Sequence, residues 1–223
     1  MPLGCLPVLI VLGFMLLLPF FLMNVVLAAL VKLGFSPNAG LYTMIGVFLG
    51  SMVNIPLKRL PRDEDYETRP FAAFGLDRFF RISYSRRDMT VAVNVGGCVI
   101  PCLIVVYEWQ QILHQSPQVL VAVLAASLLN IIVCYKIARP VPQVGIALPA
   151  LVPALIAALS ALVMAPSMAP PVAFIAGVLG PLIGADLMHL TDIKELQTGM
   201  VSIGGAGTFD GIVLSGIIAV LLA

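Results

Sequence analysis

Apolar residues along this chain are gathered into long runs that are separated by short polar stretches. Seven of the runs approach the roughly 20 residues that an α-helix needs to cross a bilayer. The pattern therefore predicts an all-α polytopic membrane protein with about seven transmembrane helices, in a single integral membrane domain over residues 1–223. The predicted helices are 3–31, 39–55, 91–107, 119–137, 144–164, 171–190 and 201–222.

The composition excludes the soluble classes of protein. Hydrophobic residues make up 61% of the chain and charged residues only 10%. A soluble domain carries about a quarter charged residues, so this chain has too little polar surface for one. The net charge of +1 argues against nucleic acid as a partner and leaves membrane lipid as the expected surrounding.

Lysine and arginine positions predict the orientation, because cytoplasmic loops of membrane proteins are enriched in them. Most basic residues fall around 56–90, 138–143 and 191–200, which seven spans would place on one side of the membrane, whereas Lys32 falls on the other. We therefore expect the N-terminus and these three loops to be cytoplasmic. Glu108 is expected to terminate the third span.

Residues 56–90 form the one sizeable loop in this prediction. Aromatic and apolar residues alternate with arginines in its second half, most clearly over 80–84. This favours an interfacial segment that lies on anionic headgroups. A strand edge that pairs with an extended peptide substrate is the alternative.

All four cysteines lie in apolar runs, which predicts small buried packing residues and no disulfide framework. Two of them are four residues apart and share a helix face, but two thiols are too few ligands for a metal site. The cysteines are Cys5, Cys98, Cys102 and Cys134.

Two acids, Asp186 and Asp210, lie inside apolar runs, unlike the other charges. An ionised Asp within the bilayer costs a few kcal/mol, so such residues usually have a function. Because a short loop joins the sixth and seventh helices, we expect the two carboxyl groups to face each other in the cytoplasmic half of the bilayer. At about 1.5 Å per residue, Asp186 would lie roughly 6 Å deep and Asp210 roughly 13 Å deep.

Paired carboxyl groups can activate water without a metal or a cofactor. Two of them about 3 Å apart do not both ionise readily and tend to share a proton. One then acts as base on a water that attacks an amide, while the other protonates or hydrogen-bonds the carbonyl. The glycine-rich segment 204–207, just before Asp210, predicts close helix packing or a local break in the helix.

The sequence around Asp210 carries a family resemblance. Residues 207–210, Gly-Thr-Phe-Asp, resemble in degenerate form the Gly-x-Gly-Asp helix start of intramembrane aspartyl proteases, namely the presenilins, signal peptide peptidases and prepilin peptidases. Presenilins and signal peptide peptidases place one catalytic Asp in the sixth helix and one in the seventh, as Asp186 and Asp210 are placed here. These families also carry a Pro-Ala-Leu motif, which this chain has at 149–151 and at 153–155.

The resemblance implies that Asp186 and Asp210 are catalytic and that the substrate is a membrane-embedded peptide. As a whole the chain resembles an uncharacterised prokaryotic multi-pass membrane family, which implies the prokaryotic inner (plasma) membrane. Residues expected beside the acids or on the substrate side are His189, Gly205, Gly207, Thr208, Gly211, Pro149, Ala150, Leu151, Pro153, Ala154 and Leu155.

Two other functions would use the same acids. A proton- or cation-coupled transporter is one, because acids beside interrupted helices also mark ion sites, and a non-enzymatic membrane subunit is the other. His189 shares a helix face with Asp186 and is expected to hydrogen-bond it or to reach the headgroups. Asp186, His189 and Asp210 together could instead bind a cation, but three ligands of this kind indicate a metal site only weakly. Four asparagines could line a wet cavity in any of these cases: Asn24, Asn54, Asn94 and Asn130.

Overall fold

The chain is mostly helical in the computed structural model, which describes residues 6–60, 89–141, 145–149, 151–190, 200–205 and 210–223. Two π-helical segments adjoin α-helices: the first, Val95–Val99, precedes α3, and the second, Gly180–Leu187, continues α6. A short 3₁₀ turn precedes α6. The α-helices are α1 (Leu6–Lys32), α2 (Pro37–Gly50), α3 (Ile100–Ile112), α4 (Pro117–Ile137), α5 (Leu151–Met164), α6 (Ala169–Leu179) and α7 (Gly211–Leu222).

Within the described residues, three helical stretches are long and apolar enough to cross a membrane: Val95–Ile112, Pro117–Ile137 and Pro166–Leu187. Apolar helices of 10–17 residues are found at Phe21–Lys32, Leu151–Met164 and Gly211–Leu222. The prediction of a mainly helical membrane protein is confirmed at this level.

The chain also forms strands, which the prediction of an all-α fold did not include. Three of them make one sheet in the order β1-β2-β5, in which β1 is antiparallel and β5 is parallel to β2. The other two form an antiparallel hairpin, β3-β4. The strands are β1 (Asn54–Leu60), β2 (Met89–Asn94), β3 (Arg139–Val141), β4 (Gly145–Ala147) and β5 (Met200–Ile203).

Four predicted helices were wrong at one end, and in each case that end is a strand. The run 39–55 reaches into β1, and the runs 91–107, 144–164 and 201–222 begin in β2, β4 and β5. All four of these ends lie on the side that the basic residues marked as cytoplasmic. β-Branched residues are frequent in β2 and β5 and favour strands, but short apolar runs of helix and strand are hard to tell apart by pattern.

Helix α6 forms the centre of the bundle and packs against α3, α4, α5 and α7. Its residues from Val172 to Val178 are all buried. Gly177 allows α7 to approach closely, since a Cβ at this position would lie 3.1 Å from the Cα of Gly216. Small residues at such contacts are typical of helices packed within a membrane.

The second π-segment changes the helix geometry after the C-terminal end of α6. Pro181 lies in this segment and has no N–H for the regular helical bond to the carbonyl four residues earlier. Short π-helical stretches occur frequently at functional sites. Asp186 lies in this segment, one residue before it ends.

Candidate active site

The structure brings Asp186 and Asp210 together at one end of the bundle. Their carboxyl groups lie close enough for each to experience the other's charge. Oδ2 of Asp186 accepts a long hydrogen bond, 3.4 Å, from the backbone N–H of Gly204, which follows β5 directly. We call this end, which holds both acids and the β1-β2-β5 sheet, the acid end.

Asp210 lies at the start of α7 and not inside a helix, so the expected depth of roughly 13 Å along a helix was wrong. Its backbone is extended, with φ −67° and ψ 148°, and its Oδ1 accepts from the N–H of Ile212 at 2.9 Å. The residue is therefore the N-cap of α7, a position that favours Asp for purely structural reasons.

The glycines after β5 show both properties expected of them, a break and close packing. Gly204 has φ +69°, which L side chains rarely adopt, and its backbone lies against that of Gly97. The N–H of Gly205 donates to the carbonyl of Ser202 at 2.9 Å, so the chain turns sharply here. Gly207 and Thr208 lie outside the described residues.

The Pro-Ala-Leu segments lie at the start of α5, at the acid end. Leu148, just before the first segment, lies 3.9 Å from the place where a Cβ on Gly211 would stand, so α5 and α7 begin side by side. Pro153 and Ala154 are buried, whereas Pro149, Leu151 and Leu155 are exposed. Ala150 lies outside the described residues.

His189 is buried, but its ring is turned towards its own helix. Nδ1 donates to the carbonyl oxygens of Ala185 at 2.9 Å and Gly184 at 3.2 Å. The ring also lies against that of Tyr135, with centroids 5.1 Å apart. Neither contact is the hydrogen bond to Asp186 that was one of the two roles expected for His189, because Nδ1 binds carbonyl oxygens of the preceding helical turn instead.

Cys98 borders the acid pair, which the sequence did not indicate. Its buried thiol lies within electrostatic range of both Asp186 and Asp210 and contacts the thiol of Cys102. The buried position agrees with the packing role predicted for it. In the part of the chain that the structure describes, His, Cys, Asp and Glu form no group of three or more that could hold a metal ion.

Beside the acids lies a hydrogen-bonded group formed by Asn54, Asn94 and Ser202. The sequence marked the two asparagines as residues that could line a cavity, but it did not predict this group. Asn94 is 0% exposed, and its Oδ1 accepts from the N–H of Gly97 at 2.7 Å, which caps the first π-segment. A signal was present in the sequence, because Asn94 directly precedes the apolar run that continues into α3, and Asn before such a run is a helix-start pattern. Asn130 makes a separate bond, from Nδ2 to the carbonyl of Ala176 at 2.8 Å.

Glu108 is a buried acid that lies apart from the pair. It was expected at the end of a span, but α3 continues to Ile112 and leaves Glu108 only 1% exposed. Among the atoms of the described residues, its Oε1 has no hydrogen-bond partner. Glu108 lies four residues from the end of α3 that points away from the acid end.

The chain belongs to a family of proteins of unknown function, DUF1614, whose model matches residues 48–222. The matched range includes both acids and all five strands. Searches of curated proteins and of solved structures each found no match.

Proposed function

We propose that this protein is an intramembrane aspartyl-protease-like hydrolase that cleaves membrane-embedded peptides with water activated by Asp186 and Asp210. The observation that carries the proposal is that these two acids, which lie in successive apolar segments of the chain, come within electrostatic range of each other. Both carboxyl groups are partly buried. Placing two of them near each other in an apolar chain is costly, so a chain that does so usually uses them.

Each acid has a backbone donor that can support a negative charge. Gly204 N–H serves Asp186, and Ile212 N–H serves Asp210 together with the positive end of the α7 dipole. With one proton on the pair, the ionised carboxylate takes a proton from water as the water oxygen bonds to the peptide carbonyl carbon, while the protonated carboxyl group donates its proton to the carbonyl oxygen. The C–N bond of the resulting tetrahedral intermediate then breaks as the first carboxyl group passes its proton to the amine nitrogen and the other carboxylate takes back a proton from the intermediate's hydroxyl group. No other group is needed for these steps.

Water can reach the acids if the acid end is a recess. At about 1.5 Å per residue, the 12 residues of α7 span about 18 Å, whereas the hydrocarbon core of a bilayer is about 30 Å thick. Strands and turns must then fill the remaining depth. Irregular backbone at membrane depth is tolerated where it is buried in protein or lines a water-filled cavity.

Strand β5 offers a binding mode for the peptide. Within the described residues it pairs with β2 along one edge, and its other edge has no partner there. β5 leads directly into Gly204, the donor to Asp186. An extended substrate added to this edge would therefore lie beside the acids and be held by main-chain hydrogen bonds.

We further propose that all seven helices cross a prokaryotic inner membrane with the N-terminus and the acid end in the cytoplasm. The basic residues of the loops support this orientation. The acid pair would then act at the cytoplasmic side, on the portion of a membrane peptide that emerges there.

The test uses the full chain in proteoliposomes with a pool of single-span membrane peptides, whose products are identified by mass spectrometry. Asp186→Asn and Asp210→Asn should each lower cleavage by about 10²- to 10⁴-fold, the usual contribution of an acid or base. Asn keeps an oxygen that can accept from Gly204 or Ile212, so folding should persist.

Glu108→Gln is the matched control, since it neutralises an acid within a helix away from the pair and should leave cleavage unchanged. Full cleavage by both Asn variants would refute the aspartyl mechanism. Cleavage by none of the proteins, the unaltered chain included, would count against a hydrolase.

A proton- or cation-coupled transporter is the second candidate, and buried Glu108 is the observation that favours it. Acids near both ends of a bundle are an arrangement that ion-coupled transporters use. This function predicts pH-dependent flux in proteoliposomes, measured with an entrapped dye, that is lost in both Asp186→Asn and Glu108→Gln. A hydrolase would lose cleavage in the first variant only.

A further inference from the structure

A single side-chain oxygen ties together the three strands of the sheet at the acid end. Asn54 of β1 stands opposite Asn94 of β2 in the register. Oδ1 of Asn54 accepts from the Nδ2 of Asn94 at 3.0 Å and from the hydroxyl of Ser202, in β5, at 2.6 Å. The sheet is thereby linked through side chains as well as through its backbone.

Asn94 extends this link into the first π-segment. Its Nδ2 also donates to the carbonyl of Ser51 at 2.8 Å, and its Oδ1 accepts from the N–H of Gly97. A fully buried amide that uses both its donors and its acceptor has little freedom to move. The position of Gly97 is therefore set by Asn94.

Gly97 in turn sets the position of Gly204. A Cβ on Gly204 would lie 2.6 Å from the carbonyl carbon of Gly97 and 2.8 Å from the N of Cys98, so the two backbones are in direct contact. The N–H of Gly204 is the donor to Asp186. Because the contact is between backbones, a shift of Gly97 must move this donor.

We infer that Asn54 and Asn94 are positioning residues for Asp186, acting through Ser202 and through the contact between Gly97 and Gly204. The chain of contacts runs from Asn54 to Asn94, Gly97, Gly204 and Asp186. The inference rests on the proposed function for its effect on cleavage. The position of the Asp186 carboxyl group can be measured without any cleavage.

The kinetic test compares two substitutions at Asn54, which is exposed and therefore safe for folding. Asn54→Ala removes the shared acceptor, whereas Asn54→Asp keeps an oxygen for both Ser202 and Asn94. On a peptide that the unaltered protein cleaves, Asn54→Ala should lower kcat by about 10-fold with little change in KM, since misplacement of a reacting group costs rate. Asn54→Asp should restore most of the rate.

Ser36→Ala is the control for a general loss of stability. Ser36 caps the other end of α2 and accepts from the N–H of Ala39 at 3.3 Å, so its removal also deletes one hydrogen bond. This variant should cleave at the normal rate. An equal fall in kcat for Ser36→Ala would overturn the inference.

The second test measures the carboxyl stretching bands by infrared spectroscopy in the full chain, with Asp186→Asn used to identify the Asp186 band. Asn54→Ala should shift that band and Asn54→Asp should return it. An unshifted band in Asn54→Ala overturns the inference. Cleavage that survives Asp186→Asn, together with a band that shifts as expected, would refute the proposed hydrolase and leave the positioning role standing.

Discussion

The two ends of the helix bundle are built in different ways. The acid end combines strands, two π-segments and glycine contacts between backbones. At the opposite end, which we call the far end, α3 and α7 finish as regular helices, and the Lys32 ammonium donates to the carbonyl of Leu221 at 3.4 Å. Within the described residues, the strands and π-segments thus lie at the acid end, whereas the far end has a 3₁₀ turn at Pro166–Met168 and a left-handed Gly34.

The hydrogen bonding of polar side chains also differs between the acid end and the other parts of the described helices. At the acid end, Asn94, Asp186 and His189 each make hydrogen bonds. Elsewhere in the described helices, Glu108 Oε1 and the hydroxyls of Ser127 and Ser215 are buried without a partner. Buried polar groups are normally satisfied, so polar contacts help to specify the acid end, whereas the buried Oε1 of Glu108 does not do so near the far end.

The largest expected effect tests whether the acid end depends on backbone contact. Gly97→Ala should lower the free energy of unfolding by about 3 kcal/mol, because its Cβ would lie within 2.9 Å of the carbonyl carbon of Gly204. Denaturant titration of the protein in detergent measures this. The matched control is Gly13→Ala in α1, where a Cβ meets nothing within 4 Å and the change should stabilise the helix slightly.

An unfolding free energy that stays the same in Gly97→Ala would remove the distinction between the two ends. It would show that Gly204 can move away without cost. The contact could then not transmit the position of Asn94 to Asp186.

Much of the helical core could be predicted from the sequence, because each of the seven apolar runs contains a helix. The strands could not, since only Asn94 interrupts the apolar residues and glycines that run from Val91 into α3. Alternation also disappears when both faces of a strand are covered. The contact between Gly97 and Gly204 joins residues far apart in the chain, and no local pattern reports it.

The acid pair was predicted from the cost of placing Asp in an apolar run, from the short loop between the sixth and seventh helices and from the family resemblance, and the structure places Asp186 and Asp210 within electrostatic range of each other. The N-cap role of Asp210 could have been predicted, because Asp followed by an apolar run marks a helix start. The prediction instead placed Asp210 inside a helix. The position of Glu108 at the end of a helix was also predicted wrongly. The polar residues just beyond it suggested a helix end, whereas α3 continues for another turn.

The next largest effect on stability concerns Glu108, which lies near the far end. Glu108→Met replaces a buried carboxyl group by an apolar side chain of similar length and should raise the free energy of unfolding by about 2 kcal/mol. Glu108→Gln, which leaves a polar group in place, should bring little gain. A loss of stability in Glu108→Met would mean that this carboxyl group has a favourable partner, and the far end would then resemble the acid end.

The smallest effect separates the structural role of Asp210 from its chemistry. Asp210→Ala removes the acceptor for Ile212 N–H and should cost about 1 kcal/mol of unfolding free energy, whereas Asp210→Asn should keep nearly all of it. Both variants should lose cleavage, because neither can exchange a proton with Asp186. If Asp210→Asn cleaved normally while Asp210→Ala was merely less stable, Asp210 would be a helix cap and nothing more. The acid end would then hold a single functional carboxyl group, as the far end does in Glu108.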